Sequence, residues 1–465
     1  MRERAFAPVD NSALVFFRIA FGVLMMWEVS RYFQYGWIPK YWIEPKFLFT
    51  YYGFSWVKPW PGNGLYIHWA ALGVLAFFVA TGFFYRVSVA LFFLGFTYCF
   101  LLDQSTYLNH FYLVCLLSFL LIFLPAHRAF SVDVRLRPRL RTQTAPAWTI
   151  GLLRFQWAIV YFYGGVAKIA PDWLRGEPMR AWMAARTDFP VIGRFFGEEW
   201  AVYTISYGGL LLDLLIAPLL LWRRTRIPAL CWVLMFHLIN ARLFRIGVFP
   251  WLGIAGATLF LSPDWPGRLL VRLLPRKVAP EAESLEPPGS ALHQRLVLSL
   301  LSAYVALQVL VPLRHLLYPG PVAWTYEGHR FSWRMKLIDR DARARFYIVD
   351  DEQRKVTEVN PRSVLTRLQA GKMSARPDMI LQFAHYLAAT APRLSTTPPR
   401  VQAHIIASIN GRKPQLFVDQ YVDLARQPRT LGHASWILAL TEPLPATRRE
   451  PAKPVKSDES EAAGE

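Results

Sequence analysis

The stretch AWTIGLLRFQWAIVYFYGGVAKI, residues 147–169, is apolar along most of its length, and only Arg154 and Lys168 put charge into it. As a helix rising about 1.5 Å per residue it reaches about 34 Å, enough to cross a hydrocarbon layer about 30 Å thick. Eight further stretches read the same way: 12–33, 65–85, 87–103, 108–126, 201–222, 227–244, 247–262 and 294–313. A polytopic α-helical membrane protein with about nine transmembrane (TM) helices is the expectation. Composition agrees. Of 465 residues, 54% are hydrophobic and 18% charged, against about 25% charge in a typical soluble domain. That balance excludes disorder over most of the chain, a coiled coil and a disulfide-stapled secreted scaffold. The 15% aromatic content, with 18 Trp, suits rings placed at membrane–water interfaces. Residues 34–64, rich in Trp, Tyr and Pro, are too broken to span and are expected to lie along such an interface.

Charge placement sets the orientation. The segment 127–146 carries Arg128, Arg135, Arg137, Arg139 and Arg141 against Asp133 alone. The loop 222–226 adds three arginines, and 263–293 adds Arg268, Arg272, Arg276 and Lys277. Nine spans put these loops on one side with the N-terminal MRER, and the positive-inside rule makes that side cytoplasmic. Loop 171–199 carries arginines on the other side as well. The formal charge of +20 is then a property of membrane loops, and no nucleic acid partner is expected. The run 12–27 continues into Glu28 and Arg31 without a small-residue cleavage site and reads as a signal-anchor helix. Cys99, Cys115 and Cys231 all fall in apolar runs without CxxC spacing. They read as small core residues and predict neither a disulfide nor a metal site.

From 320 the long apolar runs stop. RFSWRMKLI, ARFYIV, KVTEV, RVQAHIIASI and QLFVD read as strands, Val364–Ala370 and Pro377–Ala388 as helices. The division expected is a transmembrane domain over 1–319, a C-terminal β-rich α+β extracytoplasmic domain over 320–445, and a disordered tail over 446–465.

Ionisable groups inside spans face protein interior when they persist. Arg18 falls in the inner half of the first span, and Arg154 and Asp213 at comparable inner depth, so Arg154–Asp213 is expected as a buried pair. Asn109 and His110 open the fourth span, and Lys168 closes the fifth at the same outer level. His237 and Asn240 share one helical face at mid-depth, with Arg242 further out. Structural roles account for each singly: a helix cap for Asn109, a local hydrogen bond for His110, interhelical bonding for His237 and Asn240, snorkelling for Lys168. Chemistry is the alternative. A lysine in an apolar pocket loses the hydration of its charged form, and the neutral amine can take a proton from a phenol or quinol hydroxyl.

Four stretches, taken in order, resemble the vitamin K-dependent γ-glutamyl carboxylase family and its bacterial relatives of the HTTM membrane type. They are YLNHFYLVCLLSFLLIFLPAHRAFSVD (107–133), RFQWAIVYFYGGVAKIAPDWLRGEPM (154–179), FHLINARLFRIGVFPWLGIAGATLFLSPDWP (236–266) and the segment from FSWRMKLIDR through QFAHYL (331–387). The resemblance implies a lyase-type carboxylase. Lys168 is the implied base toward vitamin K hydroquinone, which O2 converts to the epoxide while CO2 is added to protein glutamate side chains. Asn109 is implied to position the quinol, and His110 to assist the carbon-centred step. His237, Asn240 and Tyr161 are the implied contacts for the naphthoquinone, and no metal is implied. Ala167 stands where animal members often carry a second lysine. The arginine-rich, compact loops look bacterial, implying an inner-membrane enzyme with its C-terminal domain in the periplasm and a menaquinol-type naphthoquinol as cosubstrate. The expected partners are a glutamate-containing protein or peptide and the lipid bilayer. Two other functions fit the residues: quinol epoxidation without peptide carboxylation, and a non-enzymatic transporter or lipid-binding protein.

Overall fold

The computed structural model describes residues 2–244, 246–273, 290–392 and 397–445. Arg276, Lys277 and the tail 446–465 lie outside the described residues. Helices occupy all nine apolar stretches: α1 Ser12–Gln34, α2 Gly64–Thr81, α3 Tyr85–Leu102, α4 Asn109–Phe123, α5 Ala147–Lys168, α6 Glu199–Leu221, α7 Arg226–Leu243, α8 Phe249–Thr258 and α9 Ala291–Leu310. Among the described residues α1, α2, α3, α6 and α9 are long and apolar enough to cross a membrane. The remainder fall short individually. Helix α4 has 15 residues and α8 has 10. Helix α5 carries Arg154, Gln156 and Lys168, and α7 carries His237, Asn240 and Arg242. The molecule is a helical membrane protein in which five crossings follow from length and composition alone.

One end of the bundle gathers the basic loops. Strand β1 Pro8–Asp10 pairs antiparallel with β2 Thr144–Pro146. The Ala13 amide donates to the Pro263 carbonyl at 3.0 Å, so segments 8–13, 144–146 and 263 meet. Asp133, the lone acid of segment 127–146, accepts from the backbone amides of Phe84 at 2.8 Å and Tyr85 at 3.0 Å. There it satisfies orphan N–H groups and the positive end of α3. Arg18 is fully buried and donates to the carbonyls of Ala126 at 3.0 Å and Phe130 at 2.6 Å. Its guanidinium fork satisfies backbone acceptors that low-dielectric surroundings would leave unpaired.

At the opposite end, strands β3 Arg340–Asp350, β4 Lys355–Val359, β5 Arg400–Ile409 and β6 Gln415–Leu416 form an antiparallel sheet in the order β4-β3-β5-β6. Alternate residues of β5 (Val401, Ala403, Ile405, Ala407, Ile409) point into a core shared with α10 Arg367–Met373 and α11 Pro377–Thr390. A capping box from Thr366 and Gln369 starts α10. The expected strand RFSWRMKLI does not form. Residues 331–338 are irregular, with positive φ at Phe331 (64°), Trp333 (55°) and Lys336 (47°). Its rings are drawn out of strand geometry toward the helices: Phe331 packs at 4.8 Å and Trp333 at 5.0 Å from Tyr112 of α4.

The 34–64 segment also departs from expectation. Trp37, Tyr41 and Trp42 are buried in the helical core, and Phe49 in the core of the sheet. Tyr32 stacks on Trp69 with centroids 3.8 Å apart. Only part of the segment, including Trp56 and Trp60, presents exposed rings. Cys99 and Cys115 are buried, whereas Cys231 is exposed on the surface of α7. That position faces outward because a helix in lipid can present apolar residues all round.

The sheet region is clamped to the helices by polar bonds. Gln369 donates to Asp103, just beyond α3, at 2.8 Å. Asp172, four residues past the end of α5, receives two bonds from Arg412, at 2.6 and 2.7 Å, and one from Asn410 at 2.8 Å.

Candidate active site

Helices α5 and α6 approach closely because two glycines of the YFYGGVAK run face α6. A Cβ at Gly165 would lie 2.7 Å from the Leu214 side chain, and one at Gly164 would lie 2.9 Å from Asp213 Oδ2. This leaves room for the Asp213 carboxylate beside Lys168 Nζ, which donates to it and lies 3.4 Å from the Gly164 carbonyl. Both side chains are nearly sealed, 9% and 7% exposed. The expected Arg154–Asp213 pair is therefore wrong. Arg154 instead donates to the carbonyls of Leu259 at 2.7 Å and Leu261 at 2.9 Å, which follow α8. The apolar pocket expected around the Lys168 amine contains a carboxylate.

Nor does Lys168 reach for the interface. Asp213 lies 14 residues into α6, about 21 Å from its start at helical rise. The segment 170–198 folds over the pair, and its Trp173, Met179, Met183 and Phe196 form a cluster with Val202 of α6 and Leu243 of α7. Lys168 Nζ sits 5.3 Å from the Trp173 ring centroid, and that indole is held by a 2.9 Å bond to the Ser206 carbonyl. Burial beside that indole keeps the ion pair in low-dielectric surroundings, which preserves the strength of its electrostatics.

Asn109 and His110 meet in a narrow cavity of about 90 Å3 with Ile246, Phe249 and residues 334–338. Asn109 does not act as a side-chain cap of α4. Its Oδ1 accepts from Tyr107 Oη at 3.0 Å, and its Nδ2 donates to the Arg334 carbonyl at 3.4 Å. His110 packs on Phe249, 6.1 Å between centroids, and Phe249 packs on His237 at 5.8 Å. His237 Nε2 is hydrogen-bonded to Tyr161 Oη at 2.7 Å. Tyr161, His237, Phe249 and His110 thus form one continuous run of rings. Asn240 does not join it, since its amide donates to the Phe236 carbonyl one turn back at 2.8 Å. Lys168 does not line the cavity either. Met335 connects the two parts: it lines the cavity, and its Cε lies 3.7 Å from the position a Gly164 Cβ would take, beside Asp213.

Residues 330–338 supply what sequence reasoning missed. Taken as a strand, the segment contributed no site residue, yet it brings Arg334 and Met335 onto the His110 cavity. Three positive-φ residues that are not glycine within six positions cost about 1–3 kcal/mol each, strain that clusters at functional sites. Burial pulls the Arg334 guanidinium down to about 10, still charged at neutral pH. A basic residue in an aromatic segment without a nearby acid was the available signal.

His237 Nδ1 is buried without a hydrogen-bond partner, a polar group unspent at the inner end of the ring run. Of the four rings, His110 and Phe249 line the cavity, where a planar aromatic ligand could stack, whereas Tyr161 and His237 do not. Among the described residues no group of three or more His, Cys, Asp or Glu side chains is placed to hold a metal ion.

Compared with known protein families, residues 6–265 match the HTTM domain, and residues 293–443 match the lumenal domain of vitamin K-dependent gamma-carboxylase. No solved structure matches the chain.

Proposed function

We propose, from the premise that this chain belongs to the vitamin K-dependent gamma-carboxylase family with an HTTM-type membrane domain, that it is an integral membrane γ-glutamyl carboxylase. It would couple oxygenation of a reduced naphthoquinone to its epoxide with addition of CO2 to glutamate side chains of a protein or peptide. The buried Lys168–Asp213 pair under the 170–198 lid carries this reading.

When bound, vitamin K hydroquinone or a menaquinol-type naphthoquinol supplies, with O2, the reducing equivalents and the strong base that glutamate carboxylation needs. The residues supply the rest. Lys168 Nζ takes the quinol proton and the bonded Asp213 carboxylate stabilises the ammonium that forms, so the base works as a pair. Tyr161 and His237 orient an aromatic ring through the Oη–Nε2 bond and the unspent Nδ1. Asn109, fixed by Tyr107 and the 334 carbonyl, and His110, packed in rings, face the cavity where the glutamyl side chain would react. Asn240 acts on pocket shape through α7. With nine crossings the C-terminal region would lie outside the membrane, on the periplasmic side of a bacterial inner membrane, with the N-terminus cytoplasmic; the match of residues 293–443 to a lumenal domain supports this reading.

Purified protein given reduced vitamin K, labelled bicarbonate and a Glu-rich peptide should yield fixed label and epoxide together. Epoxide without label would reduce the activity to quinol oxygenation. Absence of both products would refute the enzyme reading and favour the transporter or lipid-binding alternative.

A further inference from the structure

Beside the His110 cavity the surface opens into a second one, of about 360 Å3, lined by Arg186, Lys336, Arg340, Lys372 and Arg376 with Asp339 as its sole acid. The two cavities share Tyr326, Lys336, Ile338 and Arg376, so they adjoin and together lead toward Asn109 and His110. The inner cavity is lined by Arg334, Lys336 and Arg376 and by no Asp or Glu. A low-dielectric cleft lined by one sign of charge concentrates ligands of the other sign. At its inner end Arg334 is distinctive. Among the described residues no carboxylate pairs with it, and its Nε is buried without a hydrogen-bond partner. Arg18 and Arg154 hand their guanidinium groups to backbone carbonyls, whereas no described residue accepts from the Arg334 guanidinium, which is therefore open to an acceptor that the chain does not supply. The strained backbone at Trp333 and Lys336 holds Arg334 at that point.

We propose that these adjoining cavities admit an acidic peptide segment and that Arg334 receives the side-chain carboxylate of the glutamate to be modified, beside Asn109 and His110. The inference rests on the γ-glutamyl carboxylase reading and adds the residue that recognises the substrate's charge. A guanidinium bonded to both carboxylate oxygens also neutralises charge next to the carbon that must lose its proton, the place where electrostatic stabilisation acts most strongly. The inner cavity, about 90 Å3, is of side-chain size, and the outer, about 360 Å3, would hold the peptide backbone.

The test is binding of fluorescent peptides to the purified full-length protein in detergent, with Glu at the central position in one peptide and Gln in the other. Wild type should bind the Glu peptide at least tenfold more tightly, with the preference falling as salt rises. Arg334→Gln should lose the preference, and Arg334→Lys, which keeps the charge but not the fork, should retain part of it. Equal binding of the two peptides by wild type would overturn the proposal, and this result needs no variant to fold. A folded Arg334→Gln protein with an undiminished Glu preference would overturn it as well. A protein that shows the Arg334-dependent preference but forms neither fixed label nor epoxide would sustain the binding site while refuting the reaction.

Discussion

Removing one member of the Lys168–Asp213 pair should be far more damaging than removing both. With 9% and 7% exposure, neither group can recover its hydration while the helices stay packed. Breaking a buried ion pair costs about 3–5 kcal/mol, whereas replacing both partners with neutral side chains of similar volume is often neutral or better. Lys168→Met leaves a carboxylate wedged between Gly164 and α6, and Asp213→Asn leaves an ammonium against an amide. Each single variant should therefore lose about 3 kcal/mol or more, and the double variant should recover most of one such loss. The coupling energy should therefore exceed about 3 kcal/mol, well beyond the roughly 0.5 kcal/mol within which independent sites add. Reversible unfolding of the four proteins in mixed micelles, followed by circular dichroism, measures it. If the two losses simply add in the double variant, the pair is not the closed unit described above. The same cycle read by activity should be flat: both singles and the double should be inactive, because the base is the pair.

Other outcomes follow from particular contacts. Gly164→Ala would set a methyl 2.9 Å from Asp213 Oδ2; quinol oxygenation should fall at least tenfold while far-UV circular dichroism is unchanged. Gly256→Ala would drive a Cβ into the Trp157 ring, packed against α8, and overpacking of this kind should cost about 1–3 kcal/mol in the same unfolding assay. Tyr161→Phe strands His237 Nε2 in addition to Nδ1, costing about 1–3 kcal/mol and raising KM for the quinol. For Asp172, burial alone would raise the carboxyl, but bonds from Arg412 and Asn410 outweigh it and hold the group below its ordinary value. Its stabilisation is therefore complete above about pH 4 and disappears as pH falls through the depressed value. Limited proteolysis of the sheet region between pH 3 and 7 should show this loss in wild type, whereas Arg412→Ala should be cleaved readily at every pH in that range.

The helices were legible because a bilayer imposes one length and one composition on whatever crosses it, and segments such as 12–33 and 201–222 meet both. Strands β3 and β5 were legible for a related reason, since one buried face enforces alternation, as in Val401, Ala403 and Ile405. Failures came where a residue's surroundings are set by distant chain. Segment 330–338 alternates convincingly, yet Tyr107 and Tyr112 capture its rings. Asp213 was matched with Arg154 by counting depth along single helices, which misses that the 170–198 lid carries the start of α6 well beyond the end of α5. Asn109, His110, His237 and Lys168 stand out by polarity in apolar surroundings, and Tyr161 only through the family resemblance. Which of them touch, and that Met335 sits between the halves, required the fold.

The account stands most directly on epoxide formation by wild type and by Lys168→Ala in the same preparation, with reduced vitamin K and O2 and no added base. Wild type should accumulate epoxide, and the variant, correctly inserted and monodisperse, should accumulate none above background. Epoxide formed by the variant at the wild-type rate would contradict the assignment of proton removal to the Lys168–Asp213 pair.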